Sequence, residues 1–395
     1  MLELLRRRGP LTRGELGAIS GLSRTTLYDA VASLVTSGAL TVSVPPAARR
    51  KRGRPAEKLN LNPAADRMIG IDFARQAVRV AAYDVALGVA GTAGEPHGPD
   101  TPWEHRVDIA WRLVTGLTGG TPRPGAFSAV GVGLAGPMGG AADNLRRVLS
   151  TLVRERFGTP AFMDNNARLA ALAESVWGAA TGEQNVLYLH LSHGVGGGLI
   201  VNGALHRGAH GLSGELGHIA VAPEGAPCRC GGTGCLETVA GIEGILDAYR
   251  SAGGTARDLA GLISALNTGD RTAKAVLDTA GTRIGRVLAA TSHVVGPRAI
   301  VIGGELIRTG PTLMDAIRRA FDSHTMPCPR NKISLRTAGL GESAAALGAV
   351  AQLLPHTPPQ PRHLPRPRPL RLHSGPAPLP TPQLGWQAMQ CAGTR

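Results

Sequence analysis

Aromatic residues are scarce in this 395-residue chain, with Phe, Trp and Tyr together making up 3% of it. A core must therefore be assembled from Ala, Val, Leu and Ile, and the 54 glycines imply tight turns and close backbone approaches. Long apolar runs are also missing. No stretch has the roughly 18 apolar residues needed to span a bilayer; the Gly-rich stretch 130–142 is shorter and contains Pro137. The N-terminus carries Glu3 and then Arg6, Arg7 and Arg8, without an apolar segment of signal-peptide length, so the expected location is the cytoplasm with no membrane contact. Only five cysteines are present, and three crowd together at Cys228, Cys230 and Cys235. That distribution does not suit a disulfide framework; in a reducing compartment it reads as metal binding.

Acidic residues are outnumbered, giving a formal charge of +14, and the imbalance sits at the two ends. Residues 1–62 hold 11 Lys/Arg against 4 Asp/Glu, and residues 355–395 hold 5 Arg with no acid. The long middle is nearly neutral. A basic end segment of this kind points to a polyanion partner, at least for the first of them.

The first 40 residues read as three short helices. Thr12-Arg-Gly-Glu15 is a capping box flanked by Leu11 and Leu16 as a hydrophobic staple, so a helix starts at about Thr12. Gly21 permits a turn, Ser23 can cap the next helix, and Leu27, Val31 and Leu34 recur at helical spacing. Two short helices joined by a Gly turn form the helix-turn-helix pattern. Residues 40–44 and 58–61 are strand-like and flank a basic stretch, 49–54, as a hairpin with a basic tip would. From about Arg67 the pattern changes to alternating β and α segments, with strands near 68–72, 78–84, 129–135, 186–191, 197–201 and 299–302 and helices near 109–117, 167–177 and 273–295. This describes an α/β body of two lobes. Residues 355–395 contain 11 Pro and no apolar periodicity, the composition of a disordered tail. The expected division is therefore 1–62, 66–354 and 355–395.

The sharpest chemical signal is Gly214-Glu-Leu-Gly-His218 followed by Cys228-Arg-Cys230-Gly-Gly-Thr-Gly-Cys235-Leu-Glu237. One imidazole and three thiols within 18 residues make a closed four-ligand set, His218, Cys228, Cys230 and Cys235, suited to structural zinc.

This block resembles the signature of the ROK family, the repressor, open-reading-frame and kinase group of sugar kinases and regulators. The resemblance implies a winged helix-turn-helix followed by a two-lobed, actin- or hexokinase-like domain. It also implies that His218 binds zinc and a sugar hydroxyl, and that Glu215 and Glu237 contact sugar hydroxyls. Kinase members carry Asn-Asp-x-Asn before an Ala-rich helix. The matching stretch here is Asp164-Asn165-Asn166-Ala167-Arg168, and alignment through Glu174 puts Asn166 at the position of the catalytic Asp and Arg168 at that of the second Asn. An amide cannot take the hydroxyl proton, so general-base catalysis, typically worth about 10²–10⁴-fold, is lost; Asn165 and Asn166 can still bind a sugar. The phosphate turn, Asp-x-Gly-Gly-Thr in a kinase, reads Asp72-Phe-Ala-Arg-Gln76, so side chains are expected where phosphates would lie. His193-Gly-Val-Gly-Gly-Gly198 and Ile302-Gly-Gly-Glu305 remain Gly-rich, and the stretch between Gly136-Pro137 and Asn166 reads as a shortened sugar-closing loop.

For the N-terminal half, Gly21-Leu-Ser-Arg-Thr-Thr-Leu27 resembles the regulators' recognition helix, with Arg24, Thr25, Thr26 and Tyr28 facing DNA. Arg52-Gly-Arg-Pro55 resembles their wing, with Arg52 and Arg54 reaching phosphates or a minor groove. The expectation is a repressor of carbohydrate uptake or catabolism genes. It would bind an inverted-repeat operator as a homodimer or dimer of dimers and answer to a sugar or sugar phosphate. The rival expectation is an ATP-dependent sugar kinase with an N-terminal extension.

Overall fold

A computed structural model describes residues 1, 4–5, 8–36, 40–43, 57–61, 67–84, 88–118, 127–136, 142–327 and 332–354. Arg52, Arg54 and the 355–395 segment lie outside the described residues.

At the N-terminus, β1 (Leu11–Thr12), α1 (Arg13–Ser20), α2 (Arg24–Thr36), β2 (Leu40–Ser43) and β3 (Lys58–Leu61) form one unit, the strands lying in the order β1-β3-β2. Thr12 and Glu15 make the reciprocal capping box, and Gly21 ends α1 in the left-handed conformation, φ 67°. Leu16, Leu27, Val31, Leu40 and Leu59 bury one small core.

The first lobe contains β4 (Arg67–Phe73), β5 (Ala77–Asp84), β6 (Gly88–Pro96), α3 (Trp103–Thr118), β7 (Phe127–Leu134), α4 (Ala142–Phe157) and β8 (Ala161–Asn165). Its sheet runs β6-β5-β4-β7-β8, with β4 antiparallel to β5 and parallel to β7. Helix α5 (Asn166–Val176) leads into the second lobe, which opens with β9 (Val186–Leu191), β10 (Val195–Val201) and β11 (Ala204–His206). There follow α6 (Leu236–Ala240), α7 (Ile242–Ser251), α8 (Leu259–Asn267), α9 (Arg271–Val295), β12 (Ala299–Gly303), α10 (Pro311–His324), β13 (Ser334–Thr337) and α11 (Ala344–Ala351). The second sheet, β11-β10-β9-β12-β13, repeats the first: β9 is antiparallel to β10 and parallel to β12.

The lobes meet at two helices of small residues. All eight residues of α11, Ala-Ala-Ala-Leu-Gly-Ala-Val-Ala, are buried. The helix lies so close to the first sheet that a Cβ on Gly70 or Gly131 would sit 1.9 Å from the carbonyl oxygens of Ala346 and Ala349. Glu174 on α5, fully buried, accepts the amide protons of Ala179, Gly339 and Leu340 and so ties α5 to the segment before α11.

Two sequence expectations change here. Much of the segment expected as a shortened loop is α4, whose Leu149, Val153 and Phe157 pack into the first core. Strand β6 and helices α6, α7, α8 and α10 have no counterpart in the periodicity reading. Among the described residues no helix is long and apolar enough to cross a membrane.

Candidate sugar and metal site

His218, Cys228, Cys230 and Cys235 converge so that their ligand atoms all lie within 4.8 Å of one another. His218 Nδ1 is 3.6 Å from Cys228 Sγ, and Cys230 Sγ is 3.7 Å from Cys235 Sγ. The turn that gathers them needs Gly234, at φ 63°, where a Cβ would lie 1.5 Å from the Ala222 carbonyl oxygen. One nitrogen and three sulfurs gathered this closely are a donor set that suits a zinc ion with no open coordination position.

With Nδ1 turned to the thiols, Nε2 of His218 faces the other way, 4.0 Å from the Glu215 carboxylate. Burial raises the Glu215 carboxyl above its ordinary pKa, and Glu237 pushes in the same direction against Arg168, His218 and Arg229. Glu237 accepts the Val195 amide at 3.0 Å and pairs with Arg229 at 3.0 Å. Arg229 stands between two of the metal ligands, so a filled metal site would also fix the partner of Glu237.

Across the cleft, the start of α5 presents the remaining expected residues. Asn165 caps the helix, its Oδ1 accepting the amides of Ala167 and Arg168 while Nδ2 donates to Gly136. Most of its carboxamide is thereby used. Asn166 lies beside Asp72 at the end of β4 and favours its ionised form. Asp164 is held by its neighbours: Oδ1 accepts the Asn165 amide at 2.7 Å and Oδ2 accepts Arg207 Nε at 2.6 Å, with Arg168 Nε 3.3 Å away.

The expected phosphate-side contacts rearrange. Phe73 turns into the first core against Trp103, ring centroids 5.8 Å apart, so it does not occupy the cleft. Arg75 instead reaches Glu243 on α7 at 3.1 Å, and His193 in the second Gly-rich turn meets the same carboxylate at 2.8 Å. Deeper in, Arg79 bridges Glu342 at 2.8 Å and Asp72 at 3.9 Å. Burial raises Asp72 to about 6, opposed by Arg79 and Asn166. Desolvation, aided by Arg79, lowers His190 to about 4. Arginine and glutamate pairs thus join the residues that follow β4 to α7 and to the segment before α11.

On α2, Arg24, Thr25 and Tyr28 are exposed. Thr26 is committed to the helix start: its amide donates to Ser23 Oγ at 3.2 Å and its hydroxyl lies 2.7 Å from the same atom. Tyr28 has the guanidinium groups of both Arg13 and Arg24 near its ring, 5.6 and 5.8 Å from the centroid. Arg13, which also pairs with Glu57, was not singled out by the sequence reading. Nor were Arg207, Arg229 and Glu243. Arg229, flanked by Cys228 and Cys230, had a local signal; Arg207 and Glu243 had none.

Two duplicated lobes, an acid-lined cleft and the His/Cys₃ cluster define a sugar-kinase-like architecture. A family model described as ROK family matches residues 113–355, more than half of the chain, and the protein belongs to that family. A glucokinase of Halalkalibacterium halodurans is 37% identical over 218 residues, 51% of this chain and 65% of the glucokinase. The xylose repressor of Bacillus spizizenii is 25% identical over 373 residues, 90% of this chain and 94% of the repressor. Among solved structures, a ROK family transcriptional regulator described as a homologue of the E. coli MLC protein matches with a TM-score of 0.69 at 23% identity, covering 89% of this chain and 94% of that one. That likeness is one of fold.

Proposed function

We propose that this protein is a cytoplasmic transcriptional regulator, a repressor of carbohydrate genes, in which a winged helix-turn-helix (1–62) reads an inverted-repeat operator. In this reading a ROK body (66–354) binds one Zn²⁺ through His218, Cys228, Cys230 and Cys235 and senses a sugar through Asn165, Asn166, Glu215, His218 and Glu237 without phosphorylating it. Arg24, Thr25 and Tyr28 would face the major groove, with Thr26 at the helix start, and Arg52 and Arg54 would serve as the wing's contacts.

The observation that carries the reading is the state of the carboxylates beside the sugar site. The position read as that of the base holds Asn166, an amide, and the neighbouring Asp164 accepts the Asn165 amide on one oxygen and Arg207 on the other. An amide at Asn166 and an Asp164 carboxylate tied to Arg207 both favour binding a sugar without phosphorylating it. The near-full-length match to a xylose repressor supports the regulator reading as well. The rival, a sugar kinase, is favoured by the 37% identity to a glucokinase. The two separate in one pair of measurements. Selection of duplexes by the purified protein should return an inverted repeat, and a coupled ATP assay with common hexoses should stay at background, including for Asn166→Asp, which leaves the Arg75 and Arg79 bridges in place. Turnover in the usual range of about 1–100 s⁻¹ for kinases would overturn the proposal.

A further inference from the structure

Helices α6, α7 and α9 frame an open groove of about 540 Å³, walled by Val239, Ala248, Ala252, Ala275 and Val276. None of these residues belongs to the metal ligands or to the residues read as sugar contacts. Ala248, Ala252 and Ala275 are exposed, so small apolar side chains meet solvent on both sides of the groove. With side chains this short, the apolar face of a further helix can approach α7 and α9 closely. Two arginines of α9 also line the groove, Arg271 and Arg283, twelve positions or about 18 Å apart along the helix. Neither guanidinium has an ion-pair or hydrogen-bond partner among the described residues. The acids of α7 and α9 are committed elsewhere: Glu243 to Arg75 and His193, Asp247 to Arg250, and Asp278 to Arg319. Asp270, at the α9 cap, is held by Tyr249 and by the first amides of that helix. Arg271 stands in the first turn of α9, where the helix dipole disfavours a cation, so it does not serve its own helix.

An apolar wall between two uncompensated positive charges decides among the occupants. A two-fold contact matches position i with j and j with i, so a second copy centred on this groove would set Arg271 against the partner subunit's Arg283. The segment 355–395 carries 5 Arg and no acid, and its charge is equally wrong. A nucleic-acid backbone carries its charge continuously and would leave the apolar wall unmet. We propose that the groove docks an acidic amphipathic helix of a partner protein, its apolar face on Ala248, Ala252, Ala275 and Val276 and an acid at each end on Arg271 and Arg283. Such a helix has at least about three turns, the length that separates two acids by about 18 Å. Val239 lies two residues beyond Glu237 on α6, so the occupant touches the helix that carries one acid of the cleft. The surface itself does not depend on the cleft sensing a sugar.

The test is fluorescence anisotropy of the full-length, zinc-loaded protein with two labelled helical peptides that share one Leu/Ala face and differ only near their ends, where one carries Glu and the other Lys. The Glu peptide should bind about 10-fold or more tightly than the Lys peptide, and the preference should reverse in the double variant Arg271→Glu, Arg283→Glu. Ala248→Trp, which fills the groove from an exposed position and leaves every charge in place, should weaken the Glu peptide by about 10-fold or more. Circular dichroism and zinc content should match the wild type in both variants. Equal binding of the two peptides, binding of neither, a preference that survives the double variant, or an affinity unmoved by Ala248→Trp in folded protein would each overturn the proposal. Displacement of the Glu peptide by a duplex lacking the operator would overturn it in favour of nucleic acid. Dissociation of a wild-type oligomer by Ala248→Trp in sedimentation would overturn it in favour of a second copy of this chain.

Discussion

At the residue scale, the most telling side chains are those whose partners replace substrate. Asp72 and His190 are a case in which charge and burial pull in opposite directions. The folded protein holds Asp72 at about 6, above the ordinary 3.8, so this group's stabilising contribution is present at low pH and fades as pH rises through that window. It holds His190 at about 4, below the ordinary 6.5, so that contribution is present above 6.5 and fades as pH falls. Between about 4 and 6 the slopes offset each other. Asp72→Asn should expose the histidine's slope: urea midpoints should fall more between pH 7 and pH 5 in the variant than in the wild type. Parallel curves would remove the argument. A second residue-scale expectation concerns DNA. Arg24 is exposed at the start of α2 and close to Tyr28, and the proposed function has it read one base edge. Arg24→Ala should cost about 1–3 kcal/mol at one operator position and relax the preference there, whereas Arg54→Ala on the wing should weaken all sites evenly and flatten the salt slope by about one. Quantitative gel shifts across point-substituted operators at several salt concentrations would separate the two patterns.

Elements act through what they hold in place. The segment from His218 to Glu237 has no helix or strand between Ile219 and Cys235, and it brings four ligand atoms within 4.8 Å of one another. A metal bound there contributes its affinity to folding. Cys230→Ser should therefore lower zinc content and thermal stability together, and it should also loosen Glu237, because Arg229 is positioned between Cys228 and Cys230. Metal analysis of protein purified without chelators should find about one Zn²⁺ per chain; its stoichiometric absence would refute the assignment. Helices α5 and α11 work by closeness instead. A Cβ on Gly348 would stand 1.8 Å from the Leu169 carbonyl, so these helices touch nearly backbone to backbone and leave little room for independent adjustment. Asn165 and Asn166 at the start of α5 are consequently tied to the contact between the lobes.

At the scale of the whole molecule, the N-terminal unit has its own core and its own capping signals. The body likewise buries separate cores in each lobe. Removing residues 1–62 should abolish operator binding while leaving a folded, zinc-loaded body, as followed by circular dichroism, metal analysis and gel shift. Retention of operator selectivity by the truncated protein would show that DNA is read elsewhere. Contact between the two parts comes at Leu34 near the end of α2, which packs both on its own core and on the patch containing Met68, Tyr83 and Leu347. That patch includes residues of α11, so a change in how the lobes meet has a physical route to α2. Paired bodies would present two such helices and select half-sites one or two helical turns apart.

The sequence by itself determined what depends on neighbours along the chain. Thr12 and Glu15 lie three residues apart and cap the same helix whatever surrounds them; the His218 to Cys235 cluster is confined to 18 residues, so its chemistry could be read from spacing. The place of Asn166 at the start of α5 was legible for the same reason, because Glu174 sits a fixed distance along one helix. Tertiary structure decided what joins distant segments. Nothing near Arg207 in the sequence announces that it will meet Asp164, 43 positions away, and nothing near Arg75 points to Glu243. The direction of Phe73, the helix at 142–157 and the close approach of Gly70 to α11 were likewise set by packing. Local hydrogen bonds and ligand spacing leave their trace in sequence order, whereas the pairing of charges across a cleft is fixed only when two lobes, built from sheets far apart in the chain, are brought face to face.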